Sequence, residues 1–568
     1  MKKDLVHRIV YLILVFIIPL ALLGLINQAN IHAANFVVTT TNDGGSGSLR
    51  QAVSAANQNP GPDTVTFALA SNSHITLTYG TPADYIIITD TLTIDGGTAV
   101  SLTISGNNER NIFTIGAGTT VTITDLTLGY GQGRGGAIYN NGGHLTLLRN
   151  TFRQNDAGTT PGGAIFNKGG TVILQDSILQ ENISGYGAGI ANDGHLEVSN
   201  TTFQNNSGNY GAGILNCKGG SVFITNSYFL NNSATYIGSA IYNRDSTLSL
   251  DGCGTENSPS IVNVSHTVFS GNYSGGAGTL LNEGEMNIEM STIHNNTANH
   301  DGGGIANNGT LNLFSTTISS NEAVGNDGGA IQQFSGTITI SNSIIENNTA
   351  FANGGAIAVQ GGSAMIMNSS IVSNTAASAG SILNNGSLSI NNSTISGNVA
   401  IGANTEDGGG AIKQLQATNN MTITHNTIAN NTAPNQTGRD GIWQMDGNSL
   451  IQQSIVAGNG TANCTVAGGN WNGQIYNLAD DASCPDFTEA DPMLAPLGNY
   501  GGGTLTHVLL SGSPAVDAGD NMLCPENDQR GEPRPLDGNG DGTAVCDIGA
   551  VEINFWSKQV YLPTVMRE

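Results

Sequence analysis

One short pattern, repeated about a dozen times, constrains this chain more than anything else in it. GGAIYN at 135–140 returns as GGAIFN (162–167), GAGIAN (187–192), GAGILN (211–216), GSAIYN (238–243), GGGIAN (302–307) and GGAIQQ (328–333). Degenerate copies stand at 278–282, 354–359, 380–384, 409–414 and 440–444. The aliphatic anchors, from Ile138 and Ile165 to Ile412 and Ile442, are mostly 24 to 27 residues apart, with a gap of 39 after Ile241 and of 30 around Ile412. A second element follows each anchor after 13 to 16 residues, save once where Cys253 and its neighbours are inserted. It is an apolar residue, two variable positions and Asn, as at 152–155, 203–206 and 318–321. A repeat of this length is a unit that cannot bury its apolar face alone and must stack on its neighbours.

Between the two elements lie short alternating stretches: HLTLL (144–148), HLEVS (195–199), SVFIT (221–225), TLNLF (310–314), TITIS (337–341) and SLSIN (387–391). Strict alternation marks strands with one buried face. Helical spacing is missing, and Gly at this density would penalise a helix by about 1 kcal/mol per residue. Leucine-rich frames are absent, and propeller blades need a longer period. The fold class expected is therefore all-β, a right-handed single-stranded parallel β-helix of the pectin-lyase-like kind, with a short N-terminal capping helix and an irregular C-terminal cap.

Two asparagine columns run through the repeat. One holds Asn at 140, 167, 192, 216, 243, 282, 307 and 384, with Gln at 333, 414 and 444. The other runs from Asn155 through Asn182 and Asn206 to Asn459. Stacked amides can bond from rung to rung, and Asn tolerates the left-handed backbone that tight corners need. Both columns are read as structural, and the many N-x-S/T sequons follow from them.

GGAI paired with FxxN resembles the repeat of the polymorphic outer membrane proteins, over roughly residues 110–460. The resemblance implies export, a bacterial cell-surface location and adhesion; the C-terminal membrane barrel of that family's type members has no counterpart in 460–568. GSLRQAVSAAN (47–57) resembles the CSLREA-type motif at the start of bacterial β-helix proteins, with Gly47 where that motif has Cys. Its Leu49, Ala52, Val53 and Ala56 fall at helical spacing, as a cap over an exposed β-helix end requires. SPAVDAGDN (513–521), DQRGEPRP (528–535), DGNGDG (537–542) and CDIGAVE (546–552) resemble the choice-of-anchor Q domain. The division expected is 1–34 signal peptide or N-terminal anchor, 35–130 N-terminal cap and first rungs, 131–460 repeat β-helix, 461–555 choice-of-anchor Q-like domain, and 556–568 tail.

Lys2, Lys3 and Arg8 precede the apolar run 9–26, and small residues follow at Ala33 and Ala34. That is the layout of a secretory signal, and two outcomes stay open: cleavage after Ala33 or Ala34, or retention as an anchor. Six cysteines fit an oxidising compartment, so the location expected is extracellular or cell-surface. With no CxxC pair, zinc is disfavoured. Proximity pairs Cys217 with Cys253, Cys464 with Cys484 and Cys524 with Cys546, among many connectivities. A net charge of −25 with only 17 Lys and Arg argues against nucleic acid and anionic lipid. Membrane contact is expected only through the N-terminal segment, and the protein is expected to be a monomer.

Candidate chemistry is sparse. Asp537, Asn539 and Asp541, with Gly542 at position 6, spell part of a calcium loop, to which Asp547 is the next carboxylate. Calcium is the one cofactor considered, and none is required. Asp301 and Asp327 occupy equivalent places on adjacent rungs and are the catalytic candidates, although stacked Asp beside Gly-Gly also describes a solvated turn. The GHG and RIK segments of polygalacturonase-type hydrolases are missing. Tyr186 and Tyr210 stack in register and are the ligand-binding candidates. The function expected is a structural or adhesive surface β-helix without catalysis, whose partner is a surface glycan or a host or neighbour-cell ligand. The alternative is a polysaccharide-binding or polysaccharide-degrading lyase or hydrolase. An ice- or mineral-binding face is disfavoured because the repeats are too irregular for a flat Thr lattice.

Overall fold

A computed structural model describes residues 33–78, 85–97, 101–245, 253–254, 258–416, 418, 420–473 and 476–554. The signal-like segment up to residue 32 and the tail from 555 lie outside the described residues. The chain is a parallel β-helix of about 16 turns.

One rung shows how the sequence builds the rest. Ile305–Asn307 and Thr310–Phe314 join the first sheet, Thr317–Ser319 the second and Glu322–Ala323 the third. Pairing to both neighbours is parallel and in register: Ile305 lies between Leu280 and Ile331, and Leu311 between Met286 and Ile338. Alternation holds as expected, with Leu311 and Leu313 buried and Thr310 and Phe314 exposed. The anchors therefore stack into a single core column, and phenylalanines add their own: Phe203 and Phe229 lie 4.5 Å apart between ring centroids, and Phe229 and Phe269 4.9 Å.

The chain changes sheet at single residues with left-handed backbone. In this rung they are Ser315 (φ 47°) and Ser320 (φ 53°). The equivalent corners are often Asn, including Asn200, Asn226, Asn342 and Asn392 in one column and Asn205, Asn231, Asn295 and Asn347 in the other. Here the structure corrects one reason given for the second asparagine column. Asn155, Asn182, Asn206 and their successors are not the left-handed residues; the residue just before each of them is. The column asparagines turn inward, fully buried.

Inside, they form a continuous amide chain. Asn155 Nδ2 donates to Asn182 Oδ1 at 2.9 Å, and the same link repeats through Asn206, Asn232 and Asn272 up to Asn459 and Asn463. The first column does likewise from Asn140 through Asn167 and Asn192 to Gln333. A third inner column, of Ser and Thr with some Asn, caps the other corner: Thr201 N donates to Ser227 Oγ at 3.2 Å and Thr316 N to Ser343 Oγ at 3.1 Å. Buried corners leave backbone N–H groups that the sheets cannot pair, and these side chains satisfy them.

The ends differ. Helix Leu49–Ala56 buries Leu49, Ala52, Val53 and Ala56, and Ser48 caps it by accepting from Gln51 N. In the first rungs Ile86–Ile88 and Leu92–Asp95 are separate strands, and Asp125 (φ 59°) divides Thr120–Thr124 from Leu126–Gly129. At the other end, the segment after Glu489 folds back along the side of the helix. Gly549 N donates to Gln453 O at 2.9 Å, Ala550 N to Thr427 Oγ1 at 3.1 Å and Asn392 Nδ2 to Asn527 O at 3.1 Å. It covers the outer face of the second sheet at Ser370, Thr394, Thr427 and Ile455, all buried. Three disulfides join Cys217–Cys253, Cys464–Cys484 and Cys524–Cys546.

Candidate functional site

The acidic pair is brought together, but each carboxylate is used by the backbone. Asp301 Oδ1 accepts from Asp327 N at 3.3 Å and its Oδ2 from Asn326 Nδ2 at 3.3 Å. Asp327 Oδ1 accepts from Asn353 N and Nδ2, both at 2.9 Å, and its Oδ2 accepts from Gln360 Nε2 at 2.8 Å. Each Asp thus ties its own turn to the turn of the next rung. Both oxygens of each carboxylate are thereby occupied as acceptors.

Lys413 is not among the sequence candidates, but the fold gives it a specific place. Lys413 follows the anchor Ile412 and is buried. Its Nζ donates to Ser378 Oγ at 3.1 Å and to the Glu406 carbonyl, and lies 4.6 Å from the Trp443 ring centroid. Arg439 covers the same ring at 4.1 Å. Burial pushes the Lys413 ammonium down from its ordinary range, opposed by the negative charges of Asp407, Glu406 and Asp327. The usable signal was register: the position after each anchor and the turn before it share one flank of the solenoid.

Of the four calcium candidates, three meet in one exposed turn. Asp537 accepts from Gly540 N at 2.6 Å and Gly542 N at 2.9 Å, Asn539 Oδ1 from Asp541 N at 2.8 Å and Asp541 Oδ1 from Thr543 N at 2.8 Å. Asp547 does not join them. Its carboxylate is buried and accepts from Asp517 N and Ile553 N, both at 2.7 Å. Beside it, Arg534 lies 3.5 Å from Glu552, both side chains fully buried. Burial raises both carboxyls; Glu552 adds to the rise at Asp547, and Arg534 opposes it at Glu552. Among the described residues no three His, Cys, Asp or Glu side chains converge as a metal-binding group.

Tyr186 and Tyr210 stack as expected, with centroids 5.5 Å apart and planes 7° from parallel. Tyr236 extends the row, 5.2 Å from Tyr210. His144 and His195 stand two rungs apart, both paired to the intervening Thr171.

Two cavities stand out. The first, about 400 Å³, lies among the early rungs between Tyr85, Glu109, Arg134 and Tyr139. The second, about 430 Å³, lies where the fold-back segment overhangs the second sheet, between Thr317, Asn342, Ile344, Thr504, Asn527 and Arg530. Its wall is the DQRG turn. Gln529 Nε2 donates to Ser369 O at 3.3 Å, Thr504 Oγ1 at 3.0 Å and Leu505 O at 3.0 Å, and its Oε1 accepts from Thr394 Oγ1 at 2.6 Å. Asp528 holds Arg530 through Nε at 2.9 Å and Nη2 at 2.7 Å. The motif is thus a clasp between the two layers.

No protein-family model matches the chain, and no curated protein matches it. Among solved structures it is similar to pectate lyase Pel9A, at 14% identity over 93% of this chain and 98% of that one, with a TM-score of 0.21. It is also similar to PfbA, a surface adhesin of Streptococcus pneumoniae, at 11% identity over 84% of this chain and 100% of that one, with a TM-score of 0.28.

Proposed function

We propose that this chain is an exported bacterial surface protein whose β-helix binds glycans or neighbour-cell ligands without chemically altering them. The observation that carries this reading is the use made of Asp301 and Asp327, whose oxygens serve the backbone and amides of the next rung. Three disulfides fit an oxidising compartment, as does the signal-like N-terminus. The repeat's resemblance to polymorphic outer membrane proteins, and the resemblances of the two ends, add support for a surface location. A glycan array probed with purified protein tests the proposal. Saturable binding to a subset of glycans, lost on unfolding, is expected; a blank array together with release of reducing ends from a polysaccharide would overturn it.

The degradative alternative has one observation in its favour. Burial pushes the Lys413 ammonium down, against the opposing charge of Asp327 within electrostatic reach, and lysine is among the side chains that can serve as a general base. Against it, Lys413 Nζ is enclosed between Ser378, the Glu406 carbonyl and the Trp443 ring. Lys413→Met is expected to leave glycan binding intact on the binding reading.

A further inference from the structure

The outer face of the second sheet presents one column in register, rung by rung: Tyr228, Val268, Thr292, Thr317 and Ile344. The next two members, Ser370 and Thr394, are covered by the fold-back segment: Leu505 N donates to Ser370 Oγ at 3.3 Å, and Thr394 Oγ1 to Gln529 Oε1 at 2.6 Å. The column is therefore open over several rungs and then blocked, and the 430 Å³ cavity lies at the block. We propose that this cavity is a binding site for a neutral oligosaccharide, with the chain lying along the open column and one end seated against the DQRG wall. The proposal deepens the glycan-binding reading above and rests on it.

Four features choose this ligand. The cavity volume falls within the ~300–1,000 Å³ of small-ligand sites, which favour junctions between structural units. The Thr317 hydroxyl and the Asn342 and Asn527 side-chain amides line it with no hydrogen-bond partner among the described residues. Mixed donors and acceptors of that kind suit sugar hydroxyls. The wall's cation, Arg530, is already neutralised by Asp528 at 2.7 Å, so the cavity holds no spare positive charge for an anion. Finally, the rungs repeat every ~4.8 Å, close to the advance of one pyranose in an extended chain. Tyr228, Val268 and Ile344 supply apolar surface for ring C–H faces, and Tyr228 is 49% exposed. The wall is preorganised by the four bonds of Gln529, so little ordering is required on binding.

The test uses the whole protein and three probes, cellohexaose, xylohexaose and chitohexaose, titrated by calorimetry. At least one is expected to bind saturably. The double variant Thr317→Val, Asn342→Gly removes two polar contacts while keeping side-chain shape at 317 and left-handed backbone at 342 (φ 50°). It should weaken binding about tenfold or more with an unchanged melting temperature. Tyr228→Ala should weaken the hexasaccharide and leave the matching disaccharide unaffected. Failure of all three probes to bind, or wild-type affinity in the double variant, overturns the cavity proposal. Array binding that survives the double variant leaves the surface-binding reading standing, whereas reducing ends released from the bound probe remove that reading instead.

Discussion

Replacing Asn296 by Ala tests the inner amide chain at its centre. Asn296 Nδ2 donates to Asn321 Oδ1 at 2.9 Å and to Phe269 O at 3.0 Å, while its Oδ1 accepts from Asn272 Nδ2 at 2.9 Å and Asn272 N at 3.0 Å. Alanine deletes all four bonds, but the damage is uneven. Asn321 Oδ1 keeps the Asn296 N–H, and Asn272 Nδ2 keeps Phe229 O. Asn272 N–H and the Phe269 carbonyl lose the partners that Asn296 gave them. At ~1–3 kcal/mol for each of these two stranded buried groups, the loss should be ~2–6 kcal/mol. Asn296→Asp sharpens the test. It keeps one acceptor but turns a second oxygen towards two others, so burial pushes its carboxyl pKa up. A raised folded pKa means stability that is present at acid pH and is lost as pH rises through that value. Urea unfolding followed by circular dichroism between pH 5 and 8 should show the Asp variant weakening as pH rises, and the Ala variant tracking wild type in parallel. Asn295→Gly, one residue away at an exposed corner with φ 54°, should change stability by only a few tenths of a kcal/mol. A loss below about 1 kcal/mol in the Ala variant would refute the reasoning.

Gly328 has φ 70°, and a Cβ there would meet Ile331 O at 2.5 Å, so Gly328→Ala should cost ~1–2 kcal/mol in the same assay. The cost is bounded because Ala379 already holds φ 52° at the equivalent step of another rung, and Ala379→Gly should be stabilising. His425 is buried and neutral, its pKa lowered to about 3 by burial and by Arg534. Its folded pKa lies below the unfolded one, so its contribution is complete above ~6.5 and falls by about 2 kcal/mol by pH 5; His425→Asn, at φ 55°, should flatten that acid limb of the pH–stability curve. Thiol labelling of unreduced, denatured protein should find no free cysteine, and two or more labelled thiols would contradict the three disulfides.

Much of the fold was legible because its code is one-dimensional. Each anchor pairs with the next anchor, as Ile305 does with Ile331, so spacing alone gave the register. Alternation in 310–314 and 337–341 gave the strands. What spacing could not give was which member of a corner takes the left-handed backbone. Asn295 and Asn296 are the same residue type with opposite fates, one exposed at the turn and one buried in the amide chain. The cavity was illegible for a different reason. Thr317 and Asn342 acquire meaning only when 503–531, far away in sequence, folds back over them. Lys413 and Asp327 likewise lie 86 residues apart and come within electrostatic reach only through the stacking of rungs.

The central claim is that this solenoid binds without turnover, and the most direct measurement follows product formation. Purified protein is incubated with polygalacturonate, alginate and a neutral glycan that it binds, while reducing ends and unsaturated uronides are assayed. No product is expected from any of them, and folding and binding should be nearly unchanged in the Asp301→Asn, Asp327→Asn double variant. Degradation of a uronan that disappears in that double variant would contradict the account and make the acidic pair a catalytic site.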